Sequence, residues 1–223
     1  MDMMTPIRAE TFENLVFDAG LLLRNFDYST AADAESLAAL VKEAKKDSSK
    51  LLGATKGGIN PKTNFEFWEP ELDGKRMSYK GAKRLSNGTA VISGTLVEMT
   101  PENAKDVIAL ADVGGDGNKR FVQPRFSIEA GDYIDGLVWI SNLGSDGLYL
   151  AELKNALCTS GLSTQTTDKD IGTLPFEFHG HADDVNDTNL PIIYWFFRSS
   201  NAAAAANATD QTQHAANGDE PTE

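Results

Sequence analysis

With 223 residues, 41% of them hydrophobic, the chain can bury one sizeable core, so a single domain with extensions is expected. A formal net charge of −13 excludes ordinary nucleic-acid binding, which needs Lys and Arg to displace condensed counterions. Cys158 is the only cysteine, which rules out an intrachain disulfide, fits a reducing, intracellular site of folding and reads as a buried apolar residue.

The N-terminal MDMMTPIRAE lacks the basic and apolar regions of an export signal, and no apolar run is long enough to cross a bilayer, so a soluble protein without membrane contact is expected. Residues 11–28 hold two short apolar runs separated by Asp18-Ala19-Gly20, the pattern of a strand with a turn or bulge at Gly20. Leu37, Leu40, Val41 and Ala44 then recur at helical spacing, with acids early and lysines late. This predicts a helix over 32–46 whose narrow apolar stripe packs on the body or on a neighbouring subunit.

Residues 51–76 carry the densest local signals. Gly53, Gly57 and Gly58 punctuate a flexible loop; Phe65 and Phe67 then alternate with Glu66 and Trp68 as in a strand, and Asp73-Gly74 marks a tight hairpin turn. Strands are predicted over 75–83 and 88–99, the second apolar on both faces and therefore central. Thr100-Pro101-Glu102 starts a helix over 101–111 with Ala104, Val107, Ile108 and Ala111 on its apolar face, ended by Gly114-Gly115.

From there on the pattern is β: 119–129, 136–142, 148–158, 162–168, 173–181 and 191–197, punctuated as in an antiparallel sandwich or barrel. The fold class is thus mainly β with two flanking helices. Residues 1–198 form one domain, with an N-terminal arm and an inserted helix and loop at 29–60; residues 199–223, rich in Ala and Asn, read as a disordered acidic tail.

Four segments invite a chemical reading. His179-Gly-His181 on a strand would put both imidazoles on one face, and Asp183 could add a carboxylate, giving a weak metal candidate without a third assured ligand. The competing reading is a strand leaving for an Asp-Asn loop. Residues 112–118 lack the third-position and terminal ligands of an EF-hand and fit a helix end with a turn. Residues 53–58 do not match a phosphate loop. The aromatics around Trp68 and Trp195 could form a carbohydrate platform, but alternate as core or interface residues do. No catalytic set emerges: Cys158 has no activating partner and histidines are few, so neither an enzyme nor a cofactor is expected.

Taken in order, ENLVFDAGLLLRNFD, LGATKGG running into a strand and on to DGKR, Lys80-Gly81, the TPEN helix start and TLPFEFHGHAD resemble the major tail tube proteins of long, flexible-tailed bacteriophages over about residues 12–198. The resemblance implies a β-sandwich or barrel of which six copies close into a ring. Rings then stack into a tube that conducts double-stranded DNA without binding it specifically. It further implies a tape measure protein in the lumen, terminator and distal tail proteins at the tube ends, and a place in the virion after assembly in the bacterial cytoplasm. A tube protein of a contractile tail or a secretion apparatus is the nearest alternative. Within this frame Gly53, Ala54, Thr55, Lys56, Gly57 and Gly58 are expected to be ordered by contact with an adjacent subunit, because glycines lose much entropy on ordering. No residue is assigned to the lumen.

Overall fold

The computed structural model describes residues 7–200; the predicted tail beyond residue 200 lies outside them. The fold is mainly β and antiparallel, with two α-helices, as expected. A 3₁₀ turn at Ala9–Asn14 leads into β1 (Val16–Arg24), and helix α1 (Ala34–Ala44) follows. The long strands β2 (Thr55–Trp68) and β3 (Arg84–Leu96) precede α2 (Pro101–Ile108) and a small hairpin, β4 (Ala111–Asp116) and β5 (Lys119–Pro124). Strands β6 (Ile134–Leu143), β7 (Gly147–Cys158), β8 (Leu174–His179) and β9 (Ile192–Arg198) complete the described residues.

Two sheets share one strand. β7 lies between β6 and β9 through most of its length, with β1 beyond β6. Its last two residues leave that sheet: Leu157 and Cys158 pair with His179 and Phe178 of β8, which continues through β3 to β2. The change of sheet follows Asn155, whose φ of 43° is a left-handed value rare for a residue with a Cβ. On the far side, the Leu23–Leu51 bridge and the bond from the Leu52 amide to the Leu22 carbonyl draw the start of the β2 segment against β1.

Between the sheets lies a core built on Ile92, Leu96, Leu137, Trp139, Leu153, Phe176 and Phe178, with Val107 of α2 joining at one end. The outer face of β6 is buried as well: Val138 and Ile140 meet Leu37 and Ala44 of α1. That two-sided burial explains the nearly unbroken apolar run of β6, and it assigns the α1 stripe to the body of the same chain. Asp33 caps α1 by accepting from the Ser36 amide at 2.8 Å, and Thr100 caps α2 by accepting from the Asn103 amide at 3.1 Å.

The bulge expected at Gly20 is present: the β1–β6 register shifts between Phe17 and Leu21. Gly20 has φ +74°, and a Cβ there would lie 2.2 Å from Trp139 Nε1, so both conformation and space require glycine. β3 is central in its sheet, as its two apolar faces imply.

Several local expectations are corrected. α2 ends at Ile108 because Ala109 takes φ 66°; Gly114-Gly115 instead lies in β4, and residues 112–118 form the β4–β5 hairpin. Residues 162–168 form no strand, only an isolated bridge between Gln165 and Thr173. Residues 75–83 are not a strand either. The region 29–60 is no single insertion, for it contains α1 and the beginning of β2.

Candidate functional site

From Thr55 onward the glycine stretch is part of a strand, with Gly53 and Ala54 leading into it. Gly57 and Gly58 sit in β2 where its register against β3 shifts between Thr55 and Ile59, a bulge in a long ribbon that corrects the predicted loop. Their φ values of +87° and +83° explain the glycines, since a Cβ at either would meet nothing within 4 Å. The stretch is anchored within the chain. Ala54 donates to Glu98 Oε1 at 3.0 Å, Val97 donates to the Ala54 carbonyl at 3.0 Å, and Lys56 Nζ lies 3.0 Å from Asp170.

Past the bulge the ribbon outgrows the core. From Phe65 to Trp68 on β2 and from Arg84 to Asn87 on β3, every residue is exposed on both faces, although the ladder continues from Phe65–Gly88 to Trp68–Arg84. The connection is residues 69–83, not the tight hairpin predicted at Asp73-Gly74. A turn does form there, with the Lys75 amide bonded to the Leu72 carbonyl at 3.1 Å, and a second joins Ala82 to Tyr79 at 3.1 Å. Ribbon and connection make one arm.

The arm carries its own internal bonds. Glu69 accepts from Lys75 Nζ at 2.5 Å and from the Ser78 hydroxyl at 2.6 Å, and these bonds hold its carboxyl below the ordinary glutamate range. Ser86 donates to the Glu66 carbonyl at 2.9 Å, and Phe65 and Phe67 lie 6.5 Å apart between ring centres. Yet Phe65, Phe67, Trp68, Leu72, Met77, Tyr79 and Leu85 all face solvent, Phe67 at 61% and Trp68 at 58% exposure. The aromatic strand therefore runs away from the sandwich and does not anchor the glycine stretch to it.

Among the described residues, β2 also lacks a partner on its outer edge. Near the core that edge carries Lys56, Pro61 and Lys62, residue types that discourage strand addition. Beyond Lys62 this protection thins to a single charge, Glu66, before the arm's connection begins.

The predicted metal candidates are not brought together. β8 ends at His179, whose Nε2 lies 2.8 Å from Glu177 on the same strand. His181 lies beyond the strand: its Nδ1 donates to the Asn155 carbonyl at 3.0 Å, and its ring meets the edge of Tyr133. Asp183 accepts from Asn155 Nδ2 at 2.6 Å. His181 and Asp183 thus brace the left-handed turn at Asn155 where β7 changes sheets. Among the described residues no group of three or more His, Cys, Asp or Glu is placed to hold a metal ion.

A cavity of about 430 Å³ between α1 and the β1 bulge is lined by Leu21, Val41, Ile140 and Leu148, with Lys42 and Lys45. The Ser141 hydroxyl beside it is committed to the Phe17 carbonyl, and no histidine lines it. A buried polar cluster stands at the α2 end. Arg24 pairs with Asp106 at 2.6 Å and donates to Asn103 at 2.7 Å and to the Leu51 carbonyl at 3.0 Å. Burial pushes the Asp106 carboxyl upward against the pull of Arg24. These bonds tie α2 to β1 and to the approach to β2.

No family model and no curated protein matches the chain. Among the described residues, no helix is long and apolar enough to cross a membrane. The arm is the feature that sequence reasoning missed. Its available signal was apolar residues on both faces of the β2 end, Phe65 and Phe67 on one and Trp68 on the other, without enough neighbouring chain to cover them.

Proposed function

We propose that the chain is a structural subunit that assembles with copies of itself into rings of six stacked as a hollow tube, like the tail tube proteins it resembles. The arm carries this reading. A two-stranded ribbon exposing large apolar side chains on both faces is a surface that soluble monomers rarely keep bare, and it gains stability by being covered. A neighbour's sheet can cover it and add a strand to the open β2 edge.

In such a tube the excess of 33 acidic over 20 basic residues keeps the wall from holding DNA phosphates as the genome passes. The tape measure, terminator and distal tail proteins belong to the same proposal. So does the glycine stretch at residues 53–58, where contact with an adjacent subunit would add to the bonds that already anchor it within the chain. Hydrogen exchange tests that point, with slower exchange of these amides in assemblies than in monomers expected.

Electron microscopy of concentrated protein tests the reading as a whole. Six-membered rings or regular hollow tubes are expected, and a monomer that persists at every concentration would refute it.

A further inference from the structure

Charge is distributed unevenly along the arm, whose acids Glu66, Glu69, Glu71 and Asp73 all precede its run of bases. Residues 76–84 hold four of the chain's 20 basic residues, Arg76, Lys80, Lys83 and Arg84, and none of its 33 acidic ones. All four are exposed, and none forms an ion pair among the described residues. The nearby carboxylate of Glu69 bonds to Lys75 and Ser78 and also feels the charge of Lys83. A basic stretch interleaved with exposed Met77 and Tyr79 therefore follows the acidic Glu69, Glu71 and Asp73 at the tip of the arm, which projects from a body with a strong acidic excess.

We propose that this basic stretch docks on the acidic surface of a second copy of the chain, so that charge attraction steers the arm and apolar contact holds it. The inference rests on the self-assembly reading and names which part of the arm selects its partner. Charge complementarity identifies the occupant, because the surface that the tip fits is the acidic exterior of its own kind. The same exterior disfavours DNA in that role: a phosphate backbone approaching the tip would also meet the repulsion of the −13 chain. The exposed apolar residues gain more from a protein surface than from phosphates.

Salt separates the two contributions. Raising it from about 0.1 M to about 1 M shortens the screening length from ~10 Å to ~3 Å and weakens exposed ion pairs, but not apolar burial. The full chain is compared with a charge-reversed variant (Arg76→Glu, Lys80→Glu, Lys83→Glu, Arg84→Glu) and a neutral one with Gln at the same positions. Sedimentation gives the critical concentration for assembly, and thermal melting of the monomer serves as a folding control. All four side chains lie outside the core, so unchanged melting is expected.

The proposal expects the critical concentration of the wild type to rise with salt. At low salt the neutral variant should need about tenfold more protein, as four weak pairs acting together imply, and the reversed variant more still. Zero-length carboxylate–amine cross-linking of mixed isotope-labelled and unlabelled copies should join Lys80 or Lys83 to an acid of another copy. The proposal is overturned if both variants assemble at the wild-type concentration with the wild-type salt response, or if those lysines cross-link only within one copy. It is overturned equally if duplex DNA binding, not assembly, is lost on charge reversal. A wild type that forms no assembly at any salt would instead remove the self-assembly reading itself, and the docking with it.

Discussion

Replacing Phe67 and Trp68 together by alanine separates a surface made for a partner from one that merely happens to be exposed. The two side chains are 61% and 58% exposed and sit at the far end of the β2–β3 ribbon. An aromatic side chain buries about 150–250 Å² when fully covered, so covering their exposed fractions removes roughly 90–150 Å² each. At about 25 cal/mol per Å² this is worth roughly 2–4 kcal/mol per residue in an assembly. The costs of association are common to wild type and variant, so the difference is better determined than either affinity. Even if only about 2 kcal/mol of the sum is realised, each contact weakens about thirtyfold. The monomer loses almost nothing, because substitutions at such exposed positions fall within about ±0.5 kcal/mol. Sedimentation velocity across a concentration series, paired with thermal melting of dilute protein, reads both quantities. The expected outcome is a large rise in the concentration needed for assembly with an unchanged Tm. A lowered Tm with unaltered assembly would show that the arm packs within its own chain and would refute the reasoning.

Three further predictions concern the body and the root of the arm. Leu37→Ala removes a fully buried side chain packed against Val138, Ile140 and Leu150, and should cost about 2–5 kcal/mol, seen as a lowered urea midpoint independent of protein concentration. Dependence on concentration would place α1 in an interface. Gly20→Ala forces a Cβ to within 2.2 Å of Trp139 Nε1 at φ +74°; a loss of about 1–3 kcal/mol and a shift in Trp139 fluorescence are expected, and unchanged stability would contradict the bulge geometry. Glu69 should titrate below the ordinary glutamate range because Lys75 and Ser78 bond to it. Its folded-state pKa is depressed, so its contribution to ordering the arm is complete above the unfolded value and is lost as pH falls through the folded one. Carbon-detected NMR titration should follow this, and Lys75→Ala should move the titration upward.

The helices were legible because their ends are written in side chains. Asp33 with Ser36, and Thr100 before Pro101, satisfy amides that a helix start leaves open, and both starts fall where those residues predict. The end of α2 was not legible, since Ala109 takes a positive φ of 66° in a tight turn, with the Leu110 amide bonded to the Ile108 carbonyl, five residues before the first of the two glycines expected to end the helix. Strand partners were harder still. Asp73-Gly74 does turn the chain, and Met77 and Tyr79 alternate with polar residues as in a returning strand. The true partner of Trp68 is nevertheless Arg84, because ladder pairing depends on where the sheet has room and not on the nearest turn.

For the candidate site, composition and fold answer different questions. His179-Gly-His181 looked like two ligands on one strand face, yet the strand stops between them, and the second imidazole is spent on the carbonyl of Asn155. Its partner lies 26 residues away, in a conformation that nothing in the local sequence announces. The aromatics of β2 pose the converse problem. An alternating strand reads the same whether its apolar face meets its own core or another molecule. What separates the cases is reach. β3 is covered by β8 from Val91 to Leu96, whereas Phe65 to Trp68 pair with the uncovered end of β3, beyond any sheet that could bury them. Large apolar side chains of the kind that close the core in Phe176 and Phe178 are thereby left, seven of them, on an arm that its own sheets do not cover.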